Sequence, residues 1–257
     1  MTQEQIQKRL NGLLAKHDAK CLFAVESGSR AWGFESANSD YDVRFVYWKP
    51  VDWYLSIETH RDVIEELGDD DLDFAGWDIR KALKLAHKSN PSLHDWLATH
   101  ESYYEQEFLF HEFKSLCLDY FDANACFHHF RSMAIGNFHD FRESESIPYK
   151  KYFYVMRSLL CACHIMEHRK PAPCRFSDLL EEFYPTGSVR NEIECLLEIK
   201  RSGVELAKMK QIPILHAEIE RLLIVTTVAP TKRNIMPTDR LNEYFRKVVH
   251  HAEPGPL

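Results

Sequence analysis

Residues 25–46 read VESGSRAWGFESANSDYDVRFV, and this stretch decides the fold. A short apolar run ends at Val25, a Gly-Ser turn follows at Gly28 and Ser29, and a second run, residues 41–48, opens with Asp-x-Asp. Runs rich in β-branched and aromatic residues that are bounded by turn residues predict strands. The stretch therefore predicts two strands joined by a turn and a short connection.

The two aspartates of the Asp-x-Asp pattern are Asp40 and Asp42. Side chains alternate along a strand, so both carboxylates should lie on one face, with Cα atoms roughly 6–7 Å apart. Carboxylates at this spacing can share two Mg²⁺ ions, which lie about 3.5–4 Å apart in two-metal sites. We therefore predict Asp40 and Asp42 as ligands of Mg²⁺ or Mn²⁺, because such ions prefer carboxylate oxygens, water and phosphate.

A site of this kind usually recruits a third carboxylate. Asp73, in the short strand-like run 72–74, is the first candidate, and Asp71 is the competing choice two residues earlier on the same face. The acidic turn 68–71 could also bind a cation by itself, although an exposed acidic turn is the simpler interpretation. The choice between Asp73 and Asp71 stays open at this point.

The Gly-Ser turn has the properties of a phosphate-binding loop. Gly28 allows unusual backbone dihedrals and a close approach to a ligand, and amides around Gly28 and Ser29 can point at a phosphate. Arg30 supplies a planar fork that suits phosphate. Lys81, on a predicted helix after Asp73, is a further candidate. We predict that Gly28, Ser29, Arg30 and Lys81 bind nucleotide phosphates.

Two other arginines have open roles. Arg44 shares the strand face of Asp42, so it could contact an acceptor phosphate or form an ion pair with the acidic cluster. Arg157 lies within an apolar and aromatic helical pattern and is the weaker candidate.

The order Gly-Ser, spacer, Asp-x-Asp and later acidic residue resembles the nucleotidyltransferase superfamily typified by DNA polymerase beta. Gly28, Ser29, Asp40 and Asp42 match this signature position by position, whereas Asp73 is matched by context.

A narrower resemblance covers roughly residues 21–170. The segments GSRAWGFESANSDYDVR (28–44), DLDFAGWDIRKALKLAHKSNPSLHDWL (71–97) and YKKYFYVMRSLLCA (149–162) look like a bacterial and phage family of predicted nucleotidyltransferases linked to RNA repair.

The resemblance implies transfer of a nucleoside monophosphate from a nucleoside triphosphate to an acceptor hydroxyl by a two-metal mechanism. Asp40, Asp42 and Asp73 would hold the metals, and Asp73 would help to deprotonate the acceptor. An RNA end, a tRNA, a protein side chain and a small molecule all remain open as acceptors, and the nucleobase is not indicated. The alternative from another class is a non-catalytic RNA-binding or scaffold protein on the same fold.

A second enzymatic alternative rests on residues 164–168, HIMEH, which match the inverted zinc-protease pattern H-x-x-E-H. His164 and His168 would share one helix face, as zinc binding needs, and Glu167 would complete a zinc hydrolase. Basic residues follow at once, and they suit the last turn of a helix. A helix end is therefore the simpler interpretation.

Composition sets the broad class. The chain has 257 residues, 45% apolar and 28% charged, which is typical of globular proteins. A net charge of −7 excludes a strongly basic nucleic-acid coat but not local basic patches. Seven cysteines without a paired CxxC arrangement predict reduced thiols and a cytoplasmic protein. The sequence predicts neither a signal peptide nor a membrane-spanning segment, and it does not indicate the oligomeric state.

The chain pattern predicts an α+β protein. Residues 1–100 should form a small mixed-sheet core, with strands at 21–25, 41–48 and 72–74 and helices at 3–18, 77–87 and 93–99, the last capped by Ser92. Residues 101–257 should form a helical region with helices at 105–120, 123–141, 149–168, 190–208, 214–228 and 239–251. The boundary between the two regions lies near residue 100, where strand-like runs become scarce.

Overall fold

A computed structural model describes residues 1–36, 38–67, 71–202, 208–234 and 236–251. The strands are β1 (Lys20–Glu26), β2 (Tyr41–Trp48), β3 (Val63–Leu67), β4 (Leu72–Asp78), β5 (Ser102–Glu105), β6 (Ser146–Ile147) and β7 (Met209–Lys210). The first five form one sheet in the order β3-β4-β2-β1-β5, and β6 pairs separately with β7. Within the larger sheet, β2 and β4 are parallel and the other pairs are antiparallel, which confirms the predicted mixed sheet.

Each predicted helix has a counterpart, but the one for the predicted helix 190–208 ends at Arg201, and residues 203–207 lie outside the described residues. The helices are α1 (Gln3–Lys16), α2 (Gly28–Ala31), α3 (Val51–Leu55), α4 (Ile79–His87), α5 (Pro91–Ala98), α6 (Glu107–Asp119), α7 (Ala123–His139), α8 (Lys150–His168), α9 (Phe176–Phe183), α10 (Ser188–Arg201), α11 (Pro213–Val225) and α12 (Asp239–Val249). The α+β class with a helical C-terminal region is confirmed.

The large sheet is covered on both faces because successive strand residues point to opposite sides. On one side, Phe45 and Phe74 pack against α1, whose Ile6 and Leu10 are buried. On the other side, buried residues of β1 and β2 join those of α4, α5, α6 and α12 in a second core. Helices α7 to α11 share a third core centred on α8. The predicted division of the chain near residue 100 remains a prediction.

Phe34 joins the N-terminal motif to the helical region. Its ring stacks on Phe153 of α8 with a centroid distance of 5.3 Å, and the neighbouring Trp32 contacts Tyr154 at 6.1 Å. These contacts bring the N-terminal part of α8 to the loop that precedes β2. Helices that the sequence separates from the motif therefore contribute to its surroundings.

Several local predictions were wrong. Asn90, not Ser92, caps α5, since its side chain accepts a hydrogen bond of 3.0 Å from the Leu93 amide. Pro91 then occupies the first turn, where its missing N–H costs nothing. Residues 77 and 78 belong to β4 rather than to the following helix.

Other features were not predicted or are not described. The sequence analysis did not identify β5 or α9, which are only 4 and 8 residues long. Asp69 and Asp70 of the predicted acidic turn lie outside the described residues. All seven cysteines are free thiols, of which six are buried. No helix within the described ranges is long and apolar enough to cross a membrane.

Candidate nucleotide and metal site

The parallel pairing of β2 with β4 places Asp42 opposite Asp73. Arg44 lies between them, because its Nη2 atom is 2.8 Å from Asp42 Oδ1 and 2.8 Å from Asp73 Oδ2. Asp40 lies just before β2 and, with Asp42, lines the same pocket. The three predicted carboxylates are therefore close together. Asp71 is exposed, and its carbonyl accepts a hydrogen bond from the Tyr41 amide.

The carboxylates affect one another electrostatically. The pKa of Asp42 is raised, first by burial and then by the negative charges of Asp73 and Asp40, while Arg44 opposes this shift. Two carboxylates that share a site resist simultaneous ionisation unless a cation is present. The cluster therefore favours positive charge, and one guanidinium supplies part of it.

Glu26, a residue that the sequence analysis did not single out, supports Asp42 from β1. It is 2% exposed, and its Oε1 atom accepts a hydrogen bond of 2.8 Å from the Asp42 amide. The Tyr103 hydroxyl donates to its other oxygen. Burial raises the pKa of Glu26. This buried carboxyl fixes the backbone at the start of β2.

Gly28 is required by its surroundings. Its φ is +61°, a region that L side chains rarely adopt. A Cβ atom at this position would also lie 2.1 Å from Asp42 Oδ2. The turn therefore packs directly on the carboxylate, and the Ser27 amide donates to the Asp42 carbonyl at 2.9 Å.

A pocket of about 380 Å³ opens beside Asp40 and Asp42. Its volume lies within the range of about 300–1,000 Å³ that is usual for small-molecule sites. The lining combines the Gly-Ser turn, the connection before β2 and residues of the helical region. These are Gly28, Ser29, Trp32, Ser36, Asn38, Ser39, Asp40, Asp42, Tyr149, Lys150, Tyr154 and Lys200.

Lys150 and Lys200 bring positive charge to this pocket from α8 and α10. Lys200 is 5% exposed, and its Nζ lies 4.6 Å from the Phe34 ring centroid. Burial, together with the charge of Lys150, lowers the pKa of Lys200 to about 8, while Glu35 acts in the opposite direction. The sequence analysis missed both lysines because no local pattern distinguishes them from other helical lysines.

Arg30 has a different position from the one predicted. Its Nη2 atom donates to the Ser39 carbonyl at 2.7 Å, and its Nε donates to the carbonyls of Ser39 and Asp40, each at 3.1 Å. The guanidinium also stacks 3.8 Å above the Tyr41 ring. Among the described residues, Arg30 does not line the pocket, and its contacts hold the loop that carries Asp40.

Lys81 is also absent from the described lining of the pocket. Its Nζ lies 3.1 Å from Asp62 Oδ1, with which it forms an ion pair.

Arg157 is buried and is held by contacts within the protein. It is 4% exposed, pairs with Asp95 at 2.6 Å and donates to the Cys174 carbonyl at 3.0 Å. Asp95 also accepts a hydrogen bond of 2.9 Å from the Trp32 indole, and the guanidinium lies 4.4 Å from that ring. This network fixes Trp32, which lines the pocket.

A second cavity of about 360 Å³ shares the walls formed by Trp32 and Tyr154. It reaches Arg44 and is mainly apolar and aromatic. Its other lining residues are Ser27, Trp77, Pro91, Ser92, Asp95, Trp96, His129, Phe130, Met133, Arg157 and Ser158. Arg44, which contacts Asp42 and Asp73, therefore links the carboxylate cluster to this aromatic cavity.

The H-x-x-E-H pattern has a different third partner from the one predicted. His164 and His168 do share one face of α8, but the carboxylate that they face is Glu182 of α9. Within the described chain, Glu167 does not belong to this group. In this pattern the glutamate acts as a base rather than as a metal ligand, so the zinc-hydrolase alternative remains a prediction. Helix α8 ends at His168, as the helix-end interpretation predicted.

The mixed sheet with the Gly-Ser turn against the paired aspartates defines a nucleotidyltransferase-like protein. The sequence matches the family RlaP, described as the RNA repair pathway DNA polymerase beta family, over residues 2–247, and the chain belongs to this family. The resemblance inferred from the motifs is thereby confirmed.

Two further proteins are similar to this chain. The uncharacterized protein YcgL of Bacillus subtilis (strain 168) is 38% identical over 254 residues, which cover 97% of each protein. A nucleotidyltransferase-like protein from Exiguobacterium sibiricum, known from a crystal structure, is 11% identical. The match covers 95% of this chain and 76% of that one, with a TM-score of 0.31.

Proposed function

We propose that this protein transfers a nucleoside monophosphate from a nucleoside triphosphate to an acceptor hydroxyl, with Mg²⁺ or Mn²⁺ as the cofactor. The observation that carries the proposal is the distribution of charge around the polar pocket. Asp40 and Asp42 line the pocket, and Asp73 is paired with Asp42 on the neighbouring strand. Lys150 and Lys200 line the same pocket from the helical region. A metal-bound triphosphate presents the complementary charges to both groups.

The carboxylates fit the proposed metal ions. Asp40, Asp42 and Asp73 offer the oxygen ligands that Mg²⁺ prefers. The position of Arg44 supports this assignment, since one guanidinium nitrogen lies at hydrogen-bond distance from two of these carboxylates and already supplies a cation there. When bound, the metal ions would neutralise phosphate charge and orient the reacting oxygens.

The polar pocket suits the triphosphate. Ser29 lies on the turn that Gly28 begins, and its hydroxyl can donate to a phosphate oxygen. The pKa of Lys200 is lowered first by burial and then by repulsion from the charge of Lys150. A polyanion between them would relieve this repulsion and fix the phosphates. Arg30 then acts indirectly by positioning Asp40, and Lys81 has no place in this arrangement.

The aromatic cavity suits the acceptor. It adjoins the polar pocket through Trp32 and Tyr154. It also reaches Arg44, whose guanidinium contacts both Asp42 and Asp73. Unpaired bases of RNA stack on aromatic side chains, and Trp77, Trp96 and Phe130 offer such rings. With the terminal base held there, Asp73 can accept the proton of the attacking hydroxyl. The family's description as part of an RNA repair pathway supports an RNA end as the acceptor.

The proposal is tested by incubating the protein with each α-labelled nucleoside triphosphate, Mg²⁺ or Mn²⁺, and a pool of small RNAs with defined ends. Asp42→Asn is the inactive variant, and Asp52→Asn, at an exposed position of α3, is the matched control. We expect label on RNA with the wild type and the control but not with Asp42→Asn.

Each other outcome has a definite meaning. Label on the protein itself would indicate that the acceptor is a protein side chain and not an RNA end. Triphosphate binding without transfer to any RNA in the pool would overturn the RNA acceptor and favour a non-catalytic or differently specific protein. If the triphosphate does not bind at all, the proposed function is wrong.

A further inference from the structure

A separate group of metal-binding side chains lies where α8 and α9 meet. His164 Nδ1 is 2.8 Å from one oxygen of Glu182, and His168 Nε2 is 2.7 Å from the other. The two imidazole centroids are 4.5 Å apart. One ligand atom from each of the three residues lies within 4.8 Å of the other two. Three potential ligands thus converge on a single point.

We propose that His164, His168 and Glu182 bind one Zn²⁺ ion, with water as the remaining ligand. Two imidazole nitrogens and one carboxylate oxygen form a donor set that zinc uses in proteins. Harder ions such as Mg²⁺ and Ca²⁺ prefer oxygen ligands, so the two imidazoles select against them. The site therefore differs in chemistry from the carboxylate cluster.

The geometry needs only a small adjustment. Zinc–nitrogen and zinc–oxygen bonds of about 2.0–2.2 Å imply ligand–ligand distances of about 3.3–3.5 Å in a tetrahedral site. The two imidazole–carboxylate distances are 2.7 and 2.8 Å, as expected when these atoms share a proton. Rotation of these partly exposed side chains would open the space for the ion, with loss of the shared protons.

The backbone that carries the three residues is held in place by packing. The i and i+4 positions of His164 and His168 on α8 put both rings on one face. On α9, Phe176, Leu179 and Leu180 are buried in the core that α8 also lines. The backbone positions of the three residues are therefore set by helix packing and do not depend on a bound ion.

The group is accessible to solvent. The side chains of Glu182 and His168 are 26% and 47% exposed, whereas His164 is 13% exposed. An ion can enter from the His168 side, and water can complete its coordination there. His164 and Glu182 anchor the inner side.

The site is distant from the polar pocket. Lys150 and His164 lie on the same helix, and 14 residues of α-helix span about 21 Å. Zinc bound here would fasten α9 to α8 and would not take part in nucleotidyl transfer. The proposal therefore does not depend on the proposed function, and its test needs no activity measurement.

The test is zinc binding by the full-length protein after removal of metals with a chelator. Asp42→Asn serves as the parent so that the carboxylate cluster binds metal less strongly. Zn²⁺ is titrated in competition with a chromophoric chelator, and Co²⁺ is added separately because tetrahedral Co²⁺ absorbs visible light strongly. We expect one equivalent of zinc and a tetrahedral Co²⁺ spectrum.

Two ligand substitutions and one control locate the ion. Glu182→Gln and His168→Gln should each weaken zinc binding by at least about 100-fold. His111→Gln, at an exposed position on α6, should bind zinc as the parent does. Zinc in excess should raise the melting temperature of the parent and the control by roughly 5 °C, and that of the two ligand variants much less.

Two results would overturn the proposal. Zinc binding that is unchanged in Glu182→Gln and His168→Gln would put the ion elsewhere. A parent protein that binds no zinc at the concentrations of the titration would show that these side chains form only an ion pair. His168 is largely exposed, so its substitution keeps the test decisive if Glu182→Gln fails to fold.

Discussion

The two sides of the polar pocket are built in different ways. Asp40 and Asp42 follow the Gly-Ser turn within 14 residues, and parallel pairing with β4 adds Asp73. Lys150 and Lys200 come from α8 and α10, more than 100 residues further along the chain. The carboxylates are held by two paired strands and a short loop. The lysines are brought to the pocket by the packing of helices in the C-terminal region. Under the proposed function, we expect the carboxylates to carry the chemical step and the lysines to determine the affinity for the triphosphate.

The largest effect should come from Asp42→Asn. Loss of one ligand charge from the carboxylate cluster should lower kcat by on the order of 10³-fold or more, because charge stabilisation of the transition state is lost. The measurement is single-turnover label transfer at saturating triphosphate. An Asp42→Asn protein with near wild-type kcat would remove this cluster from the chemistry.

Gly28→Ala should have the next largest effect. The added Cβ would meet Asp42 Oδ2 at 2.1 Å and would be strained by the positive φ. A displaced carboxylate should lower kcat by about 100-fold. Gly33→Ala is the matched control, since its φ is +79° but no described atom lies within 4 Å of the added Cβ. Equal losses in both variants would indicate backbone strain alone and contradict the role of the close contact.

Lys200→Met should act on binding instead. Removal of one buried positive charge from the pocket should raise KM for the triphosphate by about 10-fold, equivalent to about 1.4 kcal/mol, with a smaller change in kcat. Steady-state kinetics at several triphosphate concentrations measure both constants. A Lys200→Met variant that lost kcat at unchanged KM would contradict the division of roles between the two sides.

The pH dependence of binding sharpens the same comparison. The pKa of Lys200 is lowered to about 8 by burial and by Lys150, so its ammonium is charged below this pH and loses its proton above it. Triphosphate affinity should therefore fall several-fold as the pH rises from 7 to about 9. Lys200→Arg keeps its charge over this range and should flatten the profile. An equally steep profile in Lys200→Arg would assign the titration to another group.

The smallest effect should come from Arg30→Lys. A lysine keeps the charge but cannot reproduce the fork that holds the Ser39 and Asp40 carbonyls. We expect kcat to fall by only about two- to threefold with KM nearly unchanged, because Asp40 is positioned slightly less well. A raised KM at constant kcat would indicate instead that Arg30 contacts the phosphates, as the sequence analysis predicted.

The sequence predicted the carboxylate side because its information is local. The period of a strand puts Asp42 and Arg44 on one face, and the structure confirms this through their 2.8 Å contact. Asp73 could be proposed from its strand-like surroundings, but only the register of β2 with β4 places it opposite Asp42. The roles assigned to these residues remain predictions.

The lysine side could not be predicted because it depends on long-range packing. Nothing near Lys200 in the sequence indicates that its ammonium will lie over Phe34, a residue of the connection before β2. Similarly, Arg30 has the right chemistry for phosphate, yet the loop carbonyls that it binds become visible only in the folded chain. The spacing of the aspartates can be read from the sequence. The positions of Lys200 and Arg30 depend on contacts that form only in the folded chain.

The most direct test of this account is the affinity for a nucleoside triphosphate analogue that cannot be cleaved between the α- and β-phosphates, measured by calorimetry with and without Mg²⁺. We predict that Mg²⁺ strengthens binding to the wild type by at least about 10-fold. Asp42→Asn should lose this gain, whereas Lys200→Met should keep it while binding more weakly under both conditions. Wild-type affinity that is independent of Mg²⁺, or affinity that neither substitution changes, would contradict the account.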